Sequence, residues 1–160
     1  MDTLDQALLD FWGKLNYFEV KYLMVGGLAT RFHGFNRQTD DLDLWLQDNL
    51  ENRQKLRRAF ADLGYGDYES LETMIFIPGW TSFYAAGIEL DIMTSMIGLE
   101  DERFETCYQQ ATIFDIGPHK VPFIHINHLI ANKKAVNRPK DQIDVIELEA
   151  IKRITENNQN

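Results

Sequence analysis

The sequence predicts an α+β chain with α/β-like features: a mixed, twisted β-sheet covered by helices and closed by a helical carboxy terminus. Three observations carry this. Short strand-like runs at Tyr22–Val25, Asp41–Leu46 and Val121–Ile126 are separated by segments with helical spacing. Ser82–Ala86 and Ile88–Met93 flank Gly87 in the manner of a β-hairpin. From residue 127 onward the pattern is that of two helices. Strands interleaved with helices, plus one hairpin, bury their apolar faces as a sheet shielded by helices.

Taken in order, Leu4, Leu8, Phe11, Trp12 and Leu15 repeat at helical spacing, which predicts a helix over about 3–16 with one buried stripe. Tyr22–Val25 is a short buried strand ended by Gly26-Gly27. Leu28–His33 then makes one or two helical turns before Gly34. Asp41-Leu42-Asp43-Leu44-Trp45-Leu46 alternates, as a strand with two different faces does. Asp48, with Glu51 three residues on, resembles a capping box. The helix it opens runs to about Leu63, buries Leu56, Ala59, Phe60 and Leu63, and stops at Gly64. Met74–Ile77 is a candidate strand followed by the turn Pro78-Gly79, and then comes the hairpin. Residues 100–111 are expected to be helical, with Phe104, Cys107 and Tyr108 inward. Val121–Ile126 is the last strand. Helices near 127–136 and 139–155 close the chain, the second opening at Pro139, a residue favoured in a first turn. Residues 1–155 thus read as one domain, and Glu156–Asn160 as a frayed tail.

Composition narrows the function. With 160 residues and 44% apolar content, the chain can fill one core. Its 16 Lys and Arg against 25 Asp and Glu give a net charge of −9, which excludes an even positive coat for nucleic acid but not a local basic patch. One cysteine, Cys107, forms no internal disulfide and suits a reducing interior. The acidic first ten residues do not resemble a signal peptide, and the longest apolar run, Tyr22–Ala29, falls well below the roughly 20 residues that span a bilayer. The expectation is a soluble cytoplasmic protein without a membrane partner.

The chemistry concentrates in carboxylates. Asp41 and Asp43, two apart on a strand, leave the sheet on one face. Held side by side they repel, and burial worsens the repulsion; a hard divalent cation such as Mg²⁺ relieves it with oxygen ligands. In Ile88-Glu89-Leu90-Asp91-Ile92 the acids again share a face. If the two strands pair, Asp91 completes a triad of the kind that holds two metals about 3.5–4 Å apart for in-line phosphoryl transfer. The same acids also fit the wet face of a half-exposed sheet, and Asp40 reads as a loop residue. Gly26-Gly27, between strand and helix, suits close approach of phosphate, or equally an ordinary tight turn. Arg37 precedes the acidic strand. Lys133, Lys134, Arg138 and Lys140 form the one basic concentration, either a phosphate contact or a solvated helix face with Lys140 pairing Asp144. His125 and His128 lack a third metal ligand nearby in sequence.

The order Val25-Gly26-Gly27, short helix, Arg37 and Thr39, Asp41-Leu42-Asp43-Leu44, then Leu90-Asp91-Ile92, resembles the minimal nucleotidyltransferases of the DNA polymerase beta superfamily. The tail Lys134-x-x-x-Arg138-Pro139-Lys140-Asp141-x-x-Asp144 is similar to the closing helix of small relatives, among them lincosamide nucleotidyltransferases and abortive-infection toxins. The resemblance spans Leu4 to about Ile154. It implies the nucleotidyltransferase fold, with Asp41 and Asp43 binding one or two Mg²⁺ ions and a nucleoside triphosphate (NTP). Asp91 would complete the metal site and help deprotonate an attacking hydroxyl, and Gly26 and Gly27 would cradle phosphate. A nucleoside monophosphate would pass to an acceptor, with pyrophosphate released. Arg37 and Lys134 are its expected phosphate contacts. Many members place Ser directly after the glycine pair; here Leu28 stands there, and Thr30 is the nearest hydroxyl along the helix. The acceptor is left open between a small molecule such as an antibiotic, a tRNA end and a protein side chain. Trp80, Phe83 and Tyr84 fit an acceptor pocket or core packing. The middle hairpin and Trp12 leave room for a homodimer. A non-catalytic module that keeps the fold, regulatory or of toxin–antitoxin type, is the alternative.

Overall fold

The structure is a computed structural model that describes residues 3–159. Its elements are α1 (Thr3–Tyr17), β1 (Tyr22–Val25), α2 (Gly26–Phe32), β2 (Asp41–Leu46), α3 (Leu50–Asp62), a 3-10 turn (Glu69–Glu72), β3 (Ser82–Ala85), β4 (Ile88–Met93), α4 (Phe104–Gln109), β5 (Thr112–Ile116), β6 (His119–Phe123), α5 (Ile126–Val136) and α6 (Pro139–Asn158). The strands form one mixed sheet in the order β3-β4-β2-β1-β6-β5. Its centre joins β1 antiparallel to β2, with β1 parallel to β6 and β2 parallel to β4. Antiparallel hairpins, β3–β4 and β5–β6, end it on each side. This is the predicted α+β class, with the helical carboxy terminus.

The core follows from the apolar pattern. All four residues of β1 are buried, as are Leu42, Leu44 and Leu46 on one face of β2, and Leu56, Ala59 and Phe60 of α3 join them in the same cluster. On the other face of β2, Trp45 is buried and packs edge to face with Phe104, the ring centroids 5.3 Å apart. The acidic face is therefore polar only over its first half. Phe11, Trp12 and Leu15 hold α1 to the core, while the side chain of Leu4 lies outside the described residues. Trp12 is only 3% exposed, so it offers no surface for a second copy.

Several elements differ from expectation. Met74–Ile77 is not a strand. Arg53 donates to the carbonyls of Leu71 and Met74 (3.2 and 2.6 Å) and lies over the Phe76 ring, so these residues are fastened to α3 rather than to the sheet. The cap of α3 is Asn49, whose side chain accepts from the Asn52 N–H, whereas Asp48 pairs with Arg53 at 2.7 Å. The helix expected over 100–111 is only Phe104–Gln109, because Thr112–Ile116 pairs as β5 and Gly117 turns the chain into β6. β6 accordingly starts and ends earlier than Val121–Ile126. α6 runs to Asn158, so Glu156–Asn158 continue the helix. No helix among the described residues is long and apolar enough to cross a membrane.

Candidate functional site

Register builds the site. Antiparallel pairing sets Val25, the end of β1, beside Asp43, and parallel pairing sets Asp43 beside Asp91 and Asp41 beside Glu89. Residues directly opposite on paired strands project from the same face. Asp41, Asp43, Glu89 and Asp91 therefore share one surface, next to the turn where β1 becomes α2. They line a cavity of about 670 Å³ together with Gly26, Gly27, Arg37, Lys133, Arg138 and Lys140. That is within the ordinary range for a small-molecule site.

The glycine pair is shaped by this crowding. Gly26 has φ +68°, and a Cβ there would run into the Asp43 carboxylate. At Gly27 a Cβ would meet Thr39 Oγ1 at 2.8 Å and Arg37 Nη2 at 3.0 Å. Gly26 is itself the first residue of α2, two positions earlier than the helix start expected at Leu28. Leu28, at the position where the resemblance leads one to expect Ser, is half-buried against the core.

The electrostatics are those of like charges held together. Burial, then Asp41, then Asp91, push the Asp43 carboxyl up to about 7, against the opposing pull of Lys133 and Lys140. Burial also raises Asp91, in part offset by the Gly79 N–H, which donates to its Oδ2 at 3.0 Å. Asp91 Oδ1 is shielded from solvent and has no hydrogen-bond partner. Hard carboxylate oxygens, one of them orphaned and one group strained by its neighbours, are the donor set a divalent cation of the Mg²⁺ type takes. Among the described residues no three acidic, His or Cys side chains already stand close enough to grip one ion. The carboxylates would have to draw inward on it.

Opposite the acids is a cationic wall. α5 ends at Asn137, which adopts the left-handed conformation (φ 57°), and Pro139 starts α6 at once, folding the two helices together. This sets Lys133, 4% exposed, against Asp144 (2.8 Å) and Asp141 (3.5 Å), each 1% exposed. Arg37 pairs with Asp144 at 3.0 Å, and Arg138 with Asp141 at 2.7 Å. Arg138 and neighbouring charges more than offset the burial that would raise Asp141, and hold its carboxyl below the ordinary range. Three cations alternate with two acids in one buried-to-exposed chain along the pocket.

Two expected site residues lie elsewhere. Lys134 points away from the cavity and pairs with Glu149 at 2.7 Å on the surface. The basic side chain in the pocket is Lys133. Its signal was in the sequence, since Leu129, Asn132, Lys133 and Val136 fall on one helical face (i, i+3, i+4, i+7), whereas Lys134 is rotated off it. Thr30 is fully buried, and its hydroxyl donates to the Gly26 carbonyl at 3.1 Å, so it is committed to the helix. Lys140 does not pair with Asp144, which is already held by Lys133 and Arg37. Asp40, read as a loop residue, also lines the cavity, at its exposed rim.

The sequence matches no protein-family model and none of the curated proteins. Solved structures do resemble it. The antibiotic-resistance factor ANT(2'')-Ia in solution is 17% identical over 99% of this chain and 95% of its own, with a TM-score of 0.57. The lincosamide antibiotic adenylyltransferase LnuA with lincomycin bound is 17% identical over 91% of this chain and 96% of its own, TM-score 0.57. An antigenic nucleotidyltransferase-like protein from Paracoccidioides brasiliensis is 18% identical over 94% of this chain and 76% of its own, TM-score 0.57. At such identities the likeness is one of architecture, and it covers nearly the whole chain: this protein has the fold of these nucleotidyltransferases.

Proposed function

We propose that the protein is a Mg²⁺-dependent nucleotidyltransferase that moves a nucleoside monophosphate from an NTP to a hydroxyl of an acceptor and releases pyrophosphate. The observation that carries this is the register of β2 and β4, which sets Asp91 beside Asp43 and, with Asp41, at one face of a pocket whose other wall is cationic. The fold shared with LnuA and ANT(2'')-Ia supports the same reading.

Asp41, Asp43 and Asp91 are the residues that would hold Mg²⁺. When bound, the ion neutralises phosphate charge and orients an in-line displacement. Arg37, Lys133, Arg138 and Lys140 bind the triphosphate on the opposite wall, where charge-assisted contacts to phosphate are strong. Gly26 and Gly27, with no side chains, leave the turn open to phosphate. Asp91, its carboxyl raised by burial, takes the proton of the acceptor hydroxyl through its unpartnered Oδ1. The hydroxyl oxygen then bonds to the α-phosphorus as the bond to the β-phosphate breaks. The acceptor enters over the turn that precedes β3, where Trp80 is 86% exposed beside Pro78 and Gly79 of the pocket rim.

Leu28 favours a second reading, a non-catalytic module of the same fold, because no hydroxyl follows the glycine pair. One experiment separates the two. Wild type incubated with cell extract, Mg²⁺ and α-labelled NTPs is expected to transfer label to an extract component, and Asp41→Ala to transfer none. Equal labelling by both proteins, or none by either, contradicts the transferase.

A further inference from the structure

The cationic wall depends on an acid that has no direct role in the reaction as proposed. Asp144 is 1% exposed and sits on α6, behind the pocket lining rather than in it. Its two oxygens form ion pairs with cations of two different elements, by proximity rather than as aligned hydrogen bonds: Oδ2 with Lys133 of α5 at 2.8 Å, and Oδ1 with Arg37 Nε, in the loop before β2, at 3.0 Å. That loop carries no regular structure between α2 and β2. The remaining contacts of the Arg37 side chain are local: Nη1 donates to the neighbouring Gln38 carbonyl at 3.2 Å, and Nη2 lies against Gly27. Without Asp144 two like charges would repel each other across the wall, and the loop would lose its tie to the helical hairpin.

We propose that Asp144 is a positioning residue for the triphosphate: it holds Arg37 and Lys133 together at fixed places facing Asp43, so that one phosphate chain meets a loop cation and a helix cation at once. The inference rests on the nucleotidyltransferase reading and adds to it that the arginine works only while Asp144 aims it. A buried carboxylate between two cations keeps both in place, and a guanidinium that meets Asp144 through Nε has Nη1 left for the Gln38 carbonyl and Nη2 beside Gly27, a division one ammonium cannot make.

The test is a double-mutant cycle on Arg37 and Asp144, read as the Kd of Mg²⁺–ATP and Mg²⁺–GTP by calorimetry, with thermal unfolding alongside. Arg37→Gln and Asp144→Asn are each expected to weaken binding by roughly tenfold, and the double variant by no more than either alone, as for residues that act as one unit. Arg37→Lys, in a loop outside the hydrophobic core, keeps the charge but cannot reach Asp144, Gln38 and Gly27 at once. It is expected to lose nearly as much as Arg37→Gln, which holds the proposal to account even if Asp144→Asn does not fold. Full retention of affinity by Arg37→Lys, or additive losses in the double variant, overturns the positioning role. So does an Asp144→Asn protein that melts earlier yet binds as wild type does. In all three cases wild type still binds nucleotide and the transferase reading stands; a wild type that binds neither nucleotide removes both.

Discussion

Asp43 and Asp91 stand directly opposite each other on the parallel strands β2 and β4, with Asp41 two residues away on the same face. Nothing in the core requires this. Neutral residues would pair across the strands without repulsion, and the buried faces of both strands are leucines and isoleucines. The arrangement is unfavourable by itself and becomes favourable when a cation is shared between the carboxylates.

Replacing any one of the three acids should therefore remove catalysis without removing the fold. Asp41→Asn, Asp43→Asn and Asp91→Asn are each expected to lower label transfer by roughly 10²-fold or more. Circular dichroism and gel filtration should be unchanged. Loss confined to misfolded variants would argue against a shared site.

The repulsion also has a pH signature in stability. The Asp43 carboxyl is pushed up to about 7 in the folded protein from an ordinary 3.8. A group whose folded pKa is raised binds its proton more tightly when folded, so its contribution is fully present below about 4 and is lost as pH rises through about 7. Metal-free Asp43→Asn is expected to be more stable than wild type at pH 8, by an amount of order 1–3 kcal/mol. The difference should shrink toward zero near pH 4. Urea unfolding in the presence of a chelator at the two pH values measures it. Added Mg²⁺ should stabilise wild type at pH 8 and leave Asp43→Asn almost unaffected.

The two neighbouring lysines should behave differently. Lys134 makes a surface pair with Glu149, so Lys134→Met should change stability by less than about 1 kcal/mol and leave NTP binding intact. Lys133 is buried between Asp141 and Asp144, and Lys133→Met leaves both acids short of a partner. A stability loss of roughly 3–5 kcal/mol is expected, with NTP binding lost in whatever folds. Chemical denaturation and nucleotide titration of the pair give the comparison.

Gly26→Ala tests the turn. An L-residue at φ +68° costs on the order of 1–2 kcal/mol, and the added methyl displaces the Asp43 carboxylate. Transfer should fall as far as in Asp43→Asn although all three acids are present. Full activity in Gly26→Ala would show that Asp43 need not lie where it does.

Much of this arrangement is legible in the sequence. The alternation of Asp41–Leu46 and Ile88–Met93 marks acids on one face and apolar residues on the other, and period two leaves no other arrangement for a half-buried strand. The glycine pair is readable because few residues tolerate a strand that turns at once into a helix. What the sequence hides is pairing. The β5–β6 hairpin is hard to read because Thr112–Ile116 follows a helical segment without a break, although Gly117 marks its turn. Met74–Ile77 has strand composition, but Arg53 from another element claims its backbone. Sequence alone does not single out Lys133 over Lys134, because burial of a lysine depends on acids a turn and a helix away, and Asp141 and Asp144 reach it only after Asn137 reverses the chain.

The central claim is that three carboxylates and a cationic wall together take up a metal–nucleotide complex. Calorimetric titration of wild type and Asp43→Ala with an NTP in Mg²⁺ or Mn²⁺ addresses it directly. The account predicts saturable binding by wild type that requires the metal and disappears in Asp43→Ala. Equally weak binding by the two proteins, or binding indifferent to the metal, would contradict it.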